Sequence, residues 1–252
     1  MKSPLRYPGG KSRAVKTILE FVPSGVNELV SPFLGGGSIE LACAARGMRV
    51  HGYDSFQPLV AFWQLLLEDP DRLADLVQAH FPLTRDWFYQ LQKAHKDEAS
   101  EDQGVMFFVL NRASFSGTTL SGGCSEQSLR DRFTASSINR LRQFKTFDAI
   151  KNLSVQSADF QDSLDRHPNT FLYLDPPYMI ESVLYGRQGS THRGFNHQQL
   201  ANILRSRQGW ILSYNACPEI EALYSGFEFI YPQWSYGMSS HKSSKEILIL
   251  NR

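Results

Sequence analysis

An apolar run, Thr170-Phe171-Leu172-Tyr173-Leu174, ends abruptly in Asp175-Pro176-Pro177-Tyr178. A short continuous apolar run closed by turn residues is the pattern of a buried strand, and the two prolines forbid another ladder hydrogen bond. A carboxylate, a stiff turn and an aromatic ring therefore stand at the carboxyl end of a strand, the edge at which open α/β sheets bind ligands. Pro177 restricts Pro176, and Pro176 restricts Asp175, so the acceptors of the turn keep little freedom. Such a turn suits a planar amino group. The carboxylate and the Pro176 carbonyl can accept its two N–H bonds while Tyr178 lies against the ring face. In isolation the same four residues equally describe a strand-ending turn with a surface acid, and the rest of the chain has to decide.

Two further stretches have the strand-turn-helix form of a nucleotide-binding unit. Asn27 to Val30 reads as a strand, followed by Ser31-Pro32-Phe33-Leu34-Gly35-Gly36-Gly37-Ser38 and a helical pattern through Ile39, Leu41, Ala42 and Ala45. Missing side chains at the glycines let a ligand approach the backbone near a helix N-terminus. Arg49 to Asp54 is a second strand, and its closing acid lies about 20 residues past the glycines, where such folds hold ribose hydroxyls. Phe33, Gly35 and Asp54 thus form a candidate adenosine site, although a strand-terminal Asp also serves as a helix cap. Ahead of them, Tyr7-Pro8-Gly9-Gly10-Lys11-Ser12 is a glycine turn leading into a helix. It is no Walker loop, because Leu5 stands where the first glycine belongs and no strand precedes it. Either it presents an ammonium to something anionic or it opens a helix.

After the helical Phe56 to Leu67 an alternating sheet should return to a strand. Instead the pattern stays helical over Arg72 to His80, Asp86 to Lys96 and Gly104 to Leu110, and 69–151 reads as an inserted, mostly helical lobe between the halves 1–68 and 152–252. Within it, 111–151 holds seven Lys/Arg against three acids, a net +4, which leaves about −3 for the remainder. Phe115 and Phe133 lie there among small hydrogen-bonding residues, a mixture that suits phosphate contact with base-edge readout but also an ordinary solvated helix face. Leu153 to Gln156 is a third strand, closed by Asp159. Trp210 to Asn215, Phe227 to Tyr231 and Glu246 to Leu250 follow the strand before Asp175. The loop Met179 to Asn196, with Tyr185, Arg187, His192 and Arg193, is long enough for a lid, and Asn196 can cap a helix over Gln199 to Arg205. The loop Ser235 to Lys245, rich in hydroxyls, could touch a phosphate backbone or be a plain turn.

Composition narrows the classes. The 252 residues are 42% hydrophobic, enough for one large domain or a core with an inserted lobe, and the net charge of +1 neither demands nor excludes a polyanion. Cys43, Cys124 and Cys217 are widely spaced, so neither a disulfide framework nor a metal site is expected, and a reducing compartment fits. With no apolar leader and no 18-residue apolar run, a cytoplasmic protein without membrane contact is expected.

Eight blocks then resemble the DNA adenine methylase (Dam-type, D12 class) family, in that family's order: Arg6-Tyr-Pro-Gly-Gly-Lys11, Pro32-Phe-Leu-Gly-Gly-Gly-Ser38, Tyr53-Asp54, Leu110-Asn-Arg-Ala-Ser-Phe-Ser-Gly117, Asp159-Phe160, Leu174-Asp-Pro-Pro-Tyr178, Ser213-Tyr-Asn215 and Lys245-Glu-Ile-Leu-Ile-Leu-Asn251. The resemblance implies an α/β fold, a Rossmann-like class I methyltransferase sheet of mixed strands with helices on both faces and an inserted DNA-recognition lobe. It implies S-adenosylmethionine as cofactor, released as S-adenosylhomocysteine, no metal, and transfer of the methyl group to the N6 amine of a flipped-out adenine in double-stranded DNA. By motif position, Tyr7 and Lys11 would help close the cofactor pocket, Phe33 and Gly35 would lie against the cofactor, and Asp54 would take its ribose. Asp159 would bind the cofactor's adenine amine, and Asp175, with Pro176, Pro177 and Tyr178, would face both cofactor and target base. The implied state is a monomer, with a transient dimer as the alternative. The segment Ser114 to Phe133 departs from members that methylate GATC, so no target site is carried over, and Arg112, Ser116, Thr118 and Arg132 are the candidate DNA contacts. Cytosine enzymes usually carry Ser, and glutamine enzymes Asn, where Asp175 stands. Adenine in RNA is the remaining enzymatic alternative, and a DNA-binding protein of the same fold without turnover is the alternative from another class.

Overall fold

The computed structural model describes residues 2–94, 100–179, 194–232 and 246–251. The stretch over 180–193, read above as a lid, and the hydroxyl-rich loop over 235–245 lie outside them. The strands are β1 (Glu28–Ser31), β2 (Arg49–Asp54), β3 (Leu153–Ser157), β4 (Phe171–Leu174), β5 (Trp210–Asn215), β6 (Glu228–Ile230) and β7 (Glu246–Asn251). They form one sheet in the order β3-β2-β1-β4-β5-β7-β6. β1 to β5 are parallel to their neighbours, whereas β7 runs antiparallel to both β5 and β6.

The helices are α1 (Val15–Glu20), α2 (Ser38–Ala45), α3 (Gln57–Glu68), α4 (Pro70–Gln78), α5 (Arg85–Ala94), α6 (Ser100–Ala113), α7 (Glu126–Arg132), α8 (Ala135–Arg142), α9 (Phe160–Arg166), α10 (His197–Arg205) and α11 (Pro218–Leu223). Successive strand residues point to opposite faces, and here they alternate between two buried clusters. Leu29, Tyr173, Ile211 and Leu248 join one with Phe62, Trp63 and Phe108. Val30, Leu172, Leu174, Leu212 and Ile249 join the other with Leu164, Leu200 and Leu204. Both faces are covered, which is why β4, β5 and β7 read as unbroken apolar runs rather than as alternating ones. Each such Leu or Ile contributes about 1.5–3 kcal/mol by leaving water.

Between β2 and β3 the described residues form helices and short 3-10 turns. Their apolar faces, with Phe88, Phe133, Ile138 and Phe144, belong to the cluster that also covers one face of the sheet. Phe133, read above as available to a ligand, is 0% exposed and serves this core instead. The segment after Glu126 also holds two helices that its arginines disguise. Ser125 and Ser128 form a capping box for α7, and Thr134 and Ser137 form one for α8, with Ser in place of the usual Glu or Gln. Arg142 pairs with Asp75 at 2.5 Å and Lys145 with Asp71 at 3.0 Å, so these two cations hold α8 and its following turn to α4.

The N-terminal segment is pinned to this helical region by Asn111, which is 0% exposed. Its side chain accepts from the Arg6 N–H at 2.9 Å and donates to the carbonyls of Arg6 at 3.0 Å and Gly117 at 3.2 Å. A Cβ on Gly117 would stand 1.8 Å from the Arg6 carbonyl oxygen, and φ there is +74°, so only glycine permits the approach. Asn111→Ala leaves those backbone groups without partners, with an expected loss of about 2–4 kcal/mol. The melting temperature should fall by roughly 5–10 °C, and limited proteolysis should cut first ahead of Lys11. An unchanged melting curve would show that the segment is held by something else.

Candidate active site

β1 leads to strands on one side of the sheet and β4 to strands on the other, so the turns after β1 and β4 flank the point where strand order reverses. Crevices open at that point. The turn after β1 is shaped from three directions. Asp54, at the end of β2, accepts the Gly35 N–H at 3.0 Å and the Phe56 N–H at 2.9 Å. The Trp63 indole donates to the Gly35 carbonyl at 3.1 Å. Tyr7 covers the turn: a Cβ on Gly35 would meet its ring at 2.9 Å, and one on Gly36 would meet its Cβ at 2.8 Å. Burial raises the pKa of Asp54 while the two N–H groups work against that shift. Each of its oxygens accepts one backbone bond and so keeps acceptor capacity for a diol. Phe33 stacks on Phe160 at 5.8 Å and meets Phe195 edge-on at 5.6 Å, a flat apolar wall on the same edge. Asp159 is exposed and caps α9 through the Gln161 N–H at 2.9 Å. It neighbours Asp54, whose carbonyl accepts the Ala158 N–H at 3.3 Å.

The turn after β4 holds the densest charge. Lys11 is only 5% exposed, and its ammonium donates to both oxygens of Asp175 at 2.8 Å, to the Tyr178 hydroxyl at 2.7 Å and to the Gly9 carbonyl at 3.0 Å. Glu246, at the start of β7 and 3% exposed, lies 3.4 Å from the same ammonium and accepts from the Tyr178 hydroxyl. Lys11 therefore sits in the corner with Asp175, between two carboxylates. Asn215, at the end of β5, accepts the Met179 N–H and donates to the Met179 carbonyl, both at 3.0 Å, which fixes the chain leaving Tyr178.

Two carboxylates facing one ammonium leave a net charge of −1 in a site that excludes most water. Burial pushes Asp175 up to about 6, Lys11 opposes that, and Glu246 reinforces it. For Lys11 burial acts downward, but the attraction of Asp175 and Glu246 outweighs it and the ammonium stays charged.

Sequence reasoning gave no role to Glu246. The available signal was a charged residue heading the apolar run Ile247–Leu250, since a buried carboxylate needs a partner. Of the candidate DNA contacts, Arg112 donates to the Arg132 carbonyl at 3.2 and 2.9 Å. Ser116 and Thr118 belong to the tight turn at Phe115–Gly117, where Ser116 has φ +54° and the Thr118 hydroxyl donates to the Phe115 carbonyl at 2.8 Å. Phe115 itself is 69% exposed.

A seven-stranded sheet of this order, with a glycine turn after β1 and an acid-proline corner after β4, defines a Rossmann-like methyltransferase. A family profile described as "D12 class N6 adenine-specific DNA methyltransferase" matches residues 7–238. The chain belongs to that family and is an enzyme that methylates adenine in DNA. It is 22% identical to the type II methyltransferase M1.LlaDCHI of Lactococcus lactis subsp. cremoris, over 98% of this chain and 94% of that protein. It is 20% identical to the type II methyltransferase M.CviBI of Paramecium bursaria Chlorella virus NC1A, over 90% and 88%. The modification methylase StsI of Streptococcus sanguinis is 25% identical over all of this chain, which spans only 43% of that relative.

The raised Asp175 fixes the sign of a pH effect. Below about 6 the carboxyl carries a proton and loses acceptor capacity, so kcat/KM should rise with pH through about 6 and level off above it. Rates measured over this range on one DNA substrate check this, and a profile that falls with rising pH through the same interval would contradict it.

Proposed function

We propose that the enzyme takes an adenine out of double-stranded DNA and methylates its N6 amine at the corner after β4, with S-adenosylmethionine as methyl donor and S-adenosylhomocysteine as product. The observation that carries this reading is the Asp175-Pro176-Pro177-Tyr178 corner, with its carboxylate partly exposed at the same sheet edge as the glycine turn after β1. The turn after β1 fits such a cofactor. Gly35 and Gly36 add no side chains to the turn that Tyr7 covers, Asp54 retains acceptors for a ribose diol, and Phe33 supplies an apolar wall. Asp159, exposed at the neighbouring strand end, would accept the adenine amine of the cofactor. S-adenosylmethionine, when bound, supplies a methyl group on a sulfonium sulfur.

The rest of the work falls to the chain. An adenine amine is a poor nucleophile because its lone pair is delocalised into the ring. Asp175 and the Pro176 carbonyl, by accepting its two N–H bonds, favour a pyramidal nitrogen and stabilise the charge that develops on it. Lys11 donates to both Asp175 oxygens and orients them, and each oxygen keeps acceptor capacity for an incoming amine. Glu246 offers Lys11 another acceptor nearby. Pro177 holds the turn to one shape, so the amine would be presented to a bound methyl donor in one orientation. Tyr178, tethered through its hydroxyl, presents its ring to an extruded base. Once the nitrogen has gained its methyl group, Asp175 is the acceptor placed for the departing proton. A stacked base cannot reach this depth, so the nucleotide must be flipped out, at a cost of a few kcal/mol. Contacts from Arg112, Ser116, Thr118 and Arg132 in the helical lobe would offset part of it.

The test is methylation of duplex DNA, single-stranded DNA and RNA with labelled cofactor, followed by mapping of the modified base. Label on N6 of adenine in duplex DNA is expected. Asp175→Ala should lower kcat by at least about 100-fold, the scale of losing an electrostatic anchor, while DNA is still retained on a filter. Full activity in Asp175→Ala, or label found only on RNA, would defeat the reading.

A further inference from the structure

Four arginines converge where the N-terminal segment meets the helical lobe. Arg6, Arg112 and Arg132 are partly buried and Arg140 is exposed, and no carboxylate pairs with any of them among the described residues. They stand close enough to repel one another. Burial, then Arg132, lowers the pKa of Arg6; burial, then Arg6, Arg140 and Arg132, lowers that of Arg112 to about 10. The Nη1 atoms of Arg6 and Arg132 are buried with no hydrogen-bond partner. Buried cationic donors are normally paired, and leaving one unpaired costs more than an ordinary lost bond. The backbone offers no escape, since Asn111 grips Arg6 on both sides and the Arg112 guanidinium is committed to the Arg132 carbonyl.

We infer that Arg6 and Arg132, with Arg112 as their brace, form a phosphate clamp that holds the DNA backbone close to the extruded nucleotide. Guanidinium groups match a phosphodiester in bidentate geometry, and an anion lodged between these two would remove the repulsion and pair both orphaned nitrogens. Lys11 lies five positions after Arg6, so their Cα atoms are at most roughly 17 Å apart. A phosphate held by Arg6 therefore belongs to the backbone close to the nucleotide at Asp175, which Lys11 contacts. Buried, backbone-braced arginines suit a fixed phosphate better than a base edge, which has to be met by a side chain reaching into a groove.

This inference rests on duplex DNA being the substrate, and the test separates the two. Binding to duplexes of different sequence is measured against salt for the parent, R6Q, R132Q and R132K. Each Gln variant should bind several-fold more weakly on every sequence and reduce the slope of log K against log salt by about 1, whereas R132K keeps the slope. Removing one of four like charges should leave the melting temperature without DNA unchanged or higher. Sodium sulfate should raise the melting temperature of the parent beyond an equal ionic strength of chloride, and this readout stands even if a Gln variant fails to fold. Unchanged slopes in both Gln variants, a loss confined to one sequence, or no sulfate-specific stabilisation would each overturn the clamp. A parent that leaves duplex adenine unmethylated would instead overturn the reading beneath it.

Discussion

The buried ammonium of Lys11 holds this molecule's chemistry together. An isolated ammonium in such a place would give up its proton or its burial. Here it keeps both because Asp175, Glu246, Tyr178 and the Gly9 carbonyl surround it. Those groups come from the N-terminal turn, the end of β4 and the start of β7, so a single cation joins three remote parts of the chain at one sheet edge. Removing the ammonium would leave two largely buried carboxylates facing each other uncompensated, which is far more damaging than losing a surface pair. The excess carboxylate also has a use. Burial first, and Glu246 in addition, raise Asp175 to about 6, so in the proposed reading an acceptor of N–H bonds can become an acceptor of a proton.

The same N-terminal segment links the two halves of the proposed function. Asn111 fixes Arg6 from the helical side, Tyr7 covers the glycine turn after β1, and Lys11 reaches Asp175. Six consecutive residues thus touch the lobe, the cofactor turn and the catalytic corner in sequence. A shift of the lobe on DNA would be felt at Tyr7 and Lys11 through a short, glycine-jointed stretch. Gly9, with φ +71°, and Gly10, whose Cβ would crowd the Tyr7 carbonyl at 2.9 Å, allow the tight fold that makes so short a link possible.

Most of the sheet was legible in the sequence because strands buried on both faces leave continuous apolar runs. Such runs mark β4, β5 and β7; the other strands, with polar residues among β2 and β3, also lie within a residue or two of their expected places, and Asn196 caps its helix through the Gln199 N–H as its type and position suggested. The antiparallel course of β7 left no local mark. Neither did the meeting of Lys11 with Asp175, whose partners are 164 residues apart. The basic segment misled in a simple way: charge counts do not distinguish Arg142 and Lys145, which hold helices together, from Arg132, which forms no ion pair among the described residues. Phe133 misled likewise, since an aromatic among polar residues looks exposed until the helix carrying it is seen to pack.

The pairing at the corner bears on selectivity. A carboxylate open to solvent would accept from water or from any small amine that entered. Lys11 takes one acceptor site on each Asp175 oxygen and leaves the others facing the opening, and in the proposed reading a group that donates two N–H bonds while stacking on Tyr178 satisfies them best. An adenine amine held between the carboxylate and the Pro176 carbonyl meets that requirement, because its donors lie in the plane of its ring and its face is left for the tyrosine. A hydroxyl, with one donor, would leave an acceptor unsatisfied in a buried site, at about 1–3 kcal/mol. In the proposed reading, discrimination of this kind acts on the nucleobase itself.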